Sequence, residues 1–178
     1  MKPEEFVLLV QNTFAFLERE CDFTFSWRGG FIVRFNSPRV FVTVVYDATR
    51  SYELGVQMGL QAGIEYDVER PFEIWEMLRV VGQGELPEAK SVIQSRTSDL
   101  RKHLETLADL VRHYASTLLT GDLHLFRELG RQRDADTAAY ALKTALSYAR
   151  RNAEKAWKQE RYEAVVEELE SVLDLSLI

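Results

Sequence analysis

The sequence predicts an α+β chain in which an N-terminal helix and a four-stranded antiparallel meander precede a helical C-terminal half. Three observations carry this. Apolar and polar residues alternate with a period of two over much of the stretch from Cys21 to Met58. Short turn-forming segments interrupt that stretch at Gly29-Gly30, Asn36-Ser37-Pro38-Arg39 and Asp47 to Arg50. Beyond Pro87 the apolar spacing lengthens to threes and fours, the period of a helix.

Residues 3 to 20 read as one helix. Pro3 suits a first turn, and Phe6, Leu9, Val10 and Leu17 fall largely on one face. Phe23, Phe25 and Trp27 then alternate with Thr24, Ser26 and Arg28. Gly29-Gly30 supplies a two-residue hairpin turn, because glycine reaches positive φ at both positions without a Cβ clash. Phe31, Val33 and Phe35 form the return strand. Val40 to Tyr46 is apolar on both faces and therefore central in the sheet. Tyr52, Leu54, Val56 and Met58 alternate with smaller or polar neighbours in the fourth strand.

Gly59 to Arg70 reads as a connection, and Pro71 as the opening of a short helix carrying Phe72, Trp75, Leu78 and Val81, stopped by Gly82 and Gly84. A long helix is expected after Pro87. Its residues Ile93, Leu100, Leu104, Leu107, Val111, Tyr114 and Leu118 form an a/d seam that must pack along another helix. Gly121 ends it, and Asp122 caps a short segment, Leu123 to Leu129. From about Asp134 a further helix carries alanines at 138, 141, 145, 149 and 153, and a last helix spans roughly Tyr162 to Leu175. No Pro/Gly-rich linker separates the parts, so the expectation is one domain, 1–178, with a sheet lobe (1–85) and a helical lobe (86–178).

The chain's 178 residues suffice for a substantial core, and 46% hydrophobic with 28% charged residues is an ordinary globular mixture. A net charge of −6 opposes binding to nucleic-acid phosphates. Residues 1 to 87 hold 8 basic and 13 acidic side chains against 14 and 15 in the remainder, which favours a partner protein with a basic surface. Cys21 is the single cysteine, so no internal disulfide forms and a reducing compartment fits. The start lacks the pattern of a secretory signal, and the apolar run Phe6 to Val10 is too short for a membrane span. A cytoplasmic location without membrane attachment is the resulting expectation.

No spacing demands a particular chemistry. Asp99 with His103, and Asp109 with His113, are i,i+4 pairs able to chelate an ion. The two histidines are ten residues apart, which leaves them about 80° out of alignment on a helix, and no third ligand accompanies them. Cys21 with His103, His113 or His124 matches no nucleophile signature, and Gly-x-Ser-x-Gly is absent. Gly82-Gln83-Gly84 follows a helix rather than a strand, unlike a dinucleotide loop. Carboxylate pairs such as Glu65 with Asp67 come with no sign of a shielded pocket. Neither catalytic residues, a cofactor nor a metal is therefore assigned. Aromatic strands able to stack bases lack the basic interleaving that such a role requires. The remaining candidate is the polar side of the sheet, Arg28, Arg34, Thr43, Asp47, Arg50 and Glu53, read either as a recognition patch or as a solvated strand face.

Ala153, Ala156-Trp157-Lys158 and Tyr162-Glu163-Ala164-Val165 resemble part of a tetratricopeptide-type helical hairpin over about 30 residues. Asn152 and Val165 depart from that pattern, and no second copy follows. The resemblance implies a helix hairpin, not a peptide-binding array. The layout of a short helix, a meander with Ser37-Pro38-Arg39 and Tyr52-Glu53-Leu54, and a helical tail is similar to small bacterial proteins of the toxin-immunity and defence-associated type. That likeness implies a non-catalytic protein that binds and neutralises a toxin or effector. Its contact would be the polar sheet face, with Arg28, Arg34, Asp47, Arg50 and Glu53, or the acidic segment Glu65 to Glu76. The alternatives are a small hydrolase or nucleotide-handling enzyme with its site between sheet and helices, and a subunit that self-associates as a homodimer through Ile93, Leu100, Leu104, Leu107 and Val111.

Overall fold

A chain of touching rings ties the first helix to the sheet, and it accounts for the apolar character of both. In a computed structural model, which describes residues 1–64, 71–86 and 93–173, helix α1 (Pro3–Thr13) lays Phe6 against Phe31 and Tyr46, with ring centroids 5.6 and 5.9 Å apart. Phe14, just beyond it, meets Phe35 at 6.2 Å. The helix expected over 3 to 20 is broken here. Thr13 Oγ1 donates to the carbonyl of Leu9, Phe14 leaves helical geometry at φ −95° and ψ 17°, and α2 (Ala15–Glu20) starts afresh. A hydroxyl bonded back four residues tilts the helix axis, and Phe14 is fully buried at the bend.

The meander is antiparallel: β1 (Thr24–Gly29), β2 (Ile32–Asn36), β3 (Val40–Tyr46) and β4 (Glu53–Leu60) lie side by side in that order. Gly29 and Gly30 both have positive φ, as the hairpin between β1 and β2 requires. Register puts Phe25, Phe35, Val42 and Met58 in one row and Val33, Val44 and Val56 in the next, all on the face that α1 covers. The outer edge of β4 is closed by two short strands, β5 (Phe72–Glu73) at Gln57–Met58 and β6 (Ile93–Gln94) at Glu53–Leu54. The Tyr46 hydroxyl donates to the Ser95 carbonyl at 2.9 Å, fastening the end of β6 to the sheet.

Two readings are corrected by β5 and β6. The short helix does not include Phe72; α3 spans Ile74–Val80, where the Glu76 carboxylate accepts the Glu73 backbone N–H as in a capping box. Ile93 is a strand residue, and α4 (Leu100–Tyr114) begins seven residues later. Two residues suffice to pair with an edge, too few to show a period in sequence.

The seam residues Leu100, Leu104, Leu107 and Val111 are 0–1% exposed within the chain's own core, alongside Phe6, Val56 and Phe126. Helix α4 packs on α1 and on β4. A homodimer through those residues is thereby corrected, since a face already buried inside the fold cannot meet a second copy. Helix α5 (Ser116–Leu119) follows, and Gly121 turns the chain at φ +76° with Arg39 and Val40 directly against it. Asp122 Oδ1 accepts the N–H groups of His124 and Leu125 and starts α6. That helix runs unbroken over Leu123–Lys158, so the separate segments expected on either side of 130–134 are one element. Gly130 costs a helix only about 1 kcal/mol relative to alanine, which does not stop it.

The chain divides into two compact units, Met1–Leu129 and Gly130–Ile178. The division between these units follows Leu129. The first unit holds the sheet and its aromatic core. The second holds most of α6 and helix α7 (Tyr162–Leu173), joined by a turn in which Glu160 has φ +59°. Asn152 Nδ2 reaches Glu168 across the pair at 3.3 Å, so the two helices run antiparallel as a hairpin. Among the described residues no helix is long and apolar enough to cross a membrane.

Candidate functional site

The face of the sheet turned away from α1 carries three rows of side chains, each dictated by the alternation of its strands. The middle row is polar from β1 to β5: Ser26, Arg34, Thr43, Gln57 and Glu73 are successive register partners. On one side of it stand Ile32, Val45 and Gly55; on the other, Asn36, Phe41 and Gly59.

Arg34 organises this face. Its Nε donates to Thr43 Oγ1 at 3.1 Å, and its guanidinium carbon stands 3.8 Å above the centre of the Phe41 ring. A cation held that close to an aromatic face is attracted by the ring quadrupole and shields the ring from water. Phe41 is only 1% exposed although it lies outside the main core, and Gly59 beneath it is why it fits: a Cβ there would lie 2.5 Å from the ring. Burial lowers the tendency of Arg34 to hold its proton, and the neighbouring Arg28 charge lowers it further. Among the described residues no carboxylate pairs with Arg34. At the far end of the row, Gln57 Nε2 donates to Glu73 Oε1 at 2.6 Å.

The five residues singled out from sequence fall into two groups near one end of the sheet. Arg28 and Arg34 belong to this face, near the β1–β2 turn. Asp47, Arg50 and Glu53 lie in or beside the β3–β4 turn. Asp47 is fully engaged by its own loop: its carboxylate accepts the N–H groups of Thr49, Arg50 and Ser51 and the hydroxyls of Thr49 and Ser51 at 3.0–3.2 Å. Its chemistry is that of a turn built on an aspartate. Sequence reading missed Phe41, Gln57 and Glu73 as members of the face, and Ile32, 40% exposed, as its apolar neighbour. Pairing Ser26, Arg34, Thr43 and Gln57 across their turns was the available signal.

The turn aspartate gives a first testable outcome. The Thr49 N–H, then those of Arg50 and Ser51, hold the Asp47 carboxyl well below the usual carboxylate range. The folded value lies below the unfolded one of about 3.9, so the stabilisation is fully present above that pH and is lost as pH falls towards the folded value. Asp47→Ala is expected to be less stable than the parent at neutral pH, with the gap narrowing below about pH 4. Urea titrations across that range measure it, and a gap that does not change with pH contradicts the assignment.

Elsewhere the catalytic candidates remain uncombined. The Cys21 thiol is pushed up by burial and by Glu20 and Asp22, with Arg112 opposing, which disfavours the thiolate a nucleophile needs. No hydrogen bond joins it to a histidine among the described residues. His113 Nδ1 bonds the Asp109 backbone carbonyl at 2.8 Å rather than its carboxylate, and the Asp99 carboxylate takes the Ser98 hydroxyl. No group of three or more potential metal ligands occurs among the described residues. An open groove of about 400 Å³ lined by Asn12, Thr13, Arg101, Glu105, Ala108 and Asp109 contains neither a histidine nor the cysteine. Part of the acidic segment Glu65 to Glu76, residues 65–70, lies outside the described residues; Glu73 and Glu76 serve the row and the α3 start as above.

Compared with protein-family models, with curated proteins and with solved structures, the chain gives no significant match in any of the three.

Proposed function

We propose that the chain binds another protein through the Arg34 face and the adjoining turn end of its sheet, without catalysing a reaction. The observation that carries this is Arg34 itself: a half-buried guanidinium with one hydroxyl and one ring for company, beside a second arginine and with the exposed side chain of Ile32 on the same face. An arginine pre-desolvated and fixed in this way presents its remaining N–H groups in a fork that matches a carboxylate, and arginine is among the residues that dominate protein interfaces. The negative net charge favours a partner with basic rim residues. At the arginine pair itself the complementary group is an acidic side chain of that partner. The likeness to immunity-type proteins gives the partner a class, a bacterial toxin or effector.

The test is co-expression with the product of an adjacent gene and titration calorimetry on the purified pair. A complex is expected, weakened about tenfold or more by Arg34→Ala, since a hydrogen bond to a charged group contributes ~1.5–3 kcal/mol. Far less effect is expected from Asp47→Asn, whose oxygen atoms serve the loop. Affinity unchanged in both Arg28→Ala and Arg34→Ala would remove this face from the reading.

A further inference from the structure

The sheet covers one of its outer edges and leaves the other open. The short strands β5 and β6 pair along the outside of β4. β1 stands first in the strand order and has no such neighbour among the described residues. The ladder shows which of its backbone groups are free. The Tyr46 N–H donates to the Phe31 carbonyl at 3.0 Å, and the Ser37 N–H to that of Val40 at 2.8 Å. Bonded pairs alternate along an antiparallel ladder, so Val33 and Phe35 bond to β3, while Arg34 and Asn36 turn their backbone groups to Ser26 and Thr24. Phe25 and Trp27 therefore point N–H and C=O away from the sheet. Among the described residues of the first unit no backbone group meets them, whereas the outward N–H of Phe23 donates to the Leu17 carbonyl at 3.0 Å.

We infer that this edge of β1 pairs with the same edge of a second copy, antiparallel about a two-fold axis at Ser26, so that two sheets become one. The inference is independent of the Arg34 reading, because it uses the strand edge and not the face. The edge is its own complement, as an isologous contact requires. With Ser26 at the axis, Phe25 lies opposite Trp27 of the second copy, and each free N–H meets a free carbonyl. Centring on Phe25 instead would set Trp27 against Phe23, whose N–H is already bonded to Leu17.

The side chains agree with that register. On the face that α1 covers, Trp27 is 45% exposed and gains the Phe25 ring of the second copy, an aromatic cross-strand pair made twice. On the other face Ser26 meets Ser26, and Thr24 meets Arg28. From Asp22 to Gly30 the charged residues are Asp22 and Arg28, one at each end. Helix α2, at the Asp22 end, adds Glu18, Arg19 and Glu20, and Glu20 is paired with Arg112. Antiparallel pairing turns the Arg28 end of each copy towards the acidic end of the other. The two Arg28 residues are then four positions apart, about 13 Å, where parallel pairing would place them side by side. The two Arg34 residues are three strand spacings apart, about 14 Å, each leaning over Phe41 of its own β3. β1 also lacks the proline and lysine that commonly keep an edge from pairing, and its bulge between Trp27 and Gly29 merely ends the free stretch.

Sedimentation velocity of the full chain across a concentration series tests this. One short strand makes a small interface, so the expected result is a species of twice 20.6 kDa at high concentration that dissociates on dilution. Trp27→Pro removes an outward N–H that no ladder bond uses, and is expected to give the monomer with an unchanged circular dichroism spectrum. Thr24 is exposed and lies opposite Arg28 of the second copy. Thr24→Glu is therefore expected to tighten the dimer about fivefold, and Thr24→Lys to weaken it by about as much. A monomer at every concentration overturns the inference, as does a dimer that a folded Trp27→Pro leaves intact. Should Trp27→Pro fail to fold, the Thr24 pair decides alone. Shifts of the same sign from both substitutions, or no shift from either, overturn the pairing about Ser26.

Discussion

Replacing Phe35 with alanine is expected to remove about 3–5 kcal/mol of stability, the typical cost of deleting a fully buried phenylalanine. Phe35 is 0% exposed at the junction of three elements. Its ring meets Phe14 at the α1–α2 bend at 6.2 Å and Phe25 of β1 at 5.9 Å, and its backbone pairs with Val42 of β3. Strand backbones cannot collapse into the vacated space without giving up ladder hydrogen bonds, so most of the cavity persists and its cost adds to the lost transfer energy. Against a total stability of about 5–15 kcal/mol this is a large share. Urea unfolding should show a lower midpoint with an unchanged slope. A loss below about 1 kcal/mol would mean that the ring contributes little to the core, contrary to its burial.

Gly59→Ala is the second large effect, and its sign is decided by one contact. Gly59 lies in β4 at a φ that is not in the left-handed region. With open space above it, alanine would stabilise by about 0.4–1 kcal/mol through the unfolded chain. Instead the new methyl group falls 2.5 Å from Phe41 Cζ and 2.8 Å from Cε1. The ring has no free direction: it is 1% exposed and capped by Arg34 at 3.8 Å. Overpacking of this kind costs about 1–3 kcal/mol. Because the displaced ring carries Arg34 with it, partner affinity should fall together with stability. In a Phe41→Leu background, where the smaller side chain leaves room for the methyl group, the cost of Gly59→Ala should shrink, giving a coupling that a double-mutant cycle measures. Additive effects would show that ring and glycine do not determine each other.

How much of this was legible beforehand follows from the range of each signal. The four long strands and their turns could be read because alternation over five to eight residues and a Gly-Gly pair are local signals. The hairpin α6–α7 could be read from helical spacing and the alanines that allow its close approach. The site was half legible. Arg28, Arg34 and Thr43 could be assigned to a polar sheet face, but nothing local distinguishes Phe41 from the other apolar residues of β3. Its membership depends on Gly59, eighteen positions away, and on Arg34 of the preceding strand.

The sequence by itself determined the α+β class, the order of the principal strands and which helix faces had to be covered, since periodicity states that a face is apolar. Only the tertiary structure decided what covers each face. It placed the α4 seam inside the chain's own core, left a groove along the terminal hairpin open, and drew Phe72 and Ile93 into two-residue strands on the β4 edge. It also turned Asp47 inward on its own loop and stood Arg34 on Phe41. The physical reason is common to all of these. Hydrophobic burial is non-directional and sets only that a surface must leave water, whereas partner, register and the company of a charge are fixed by contacts between residues far apart in the chain.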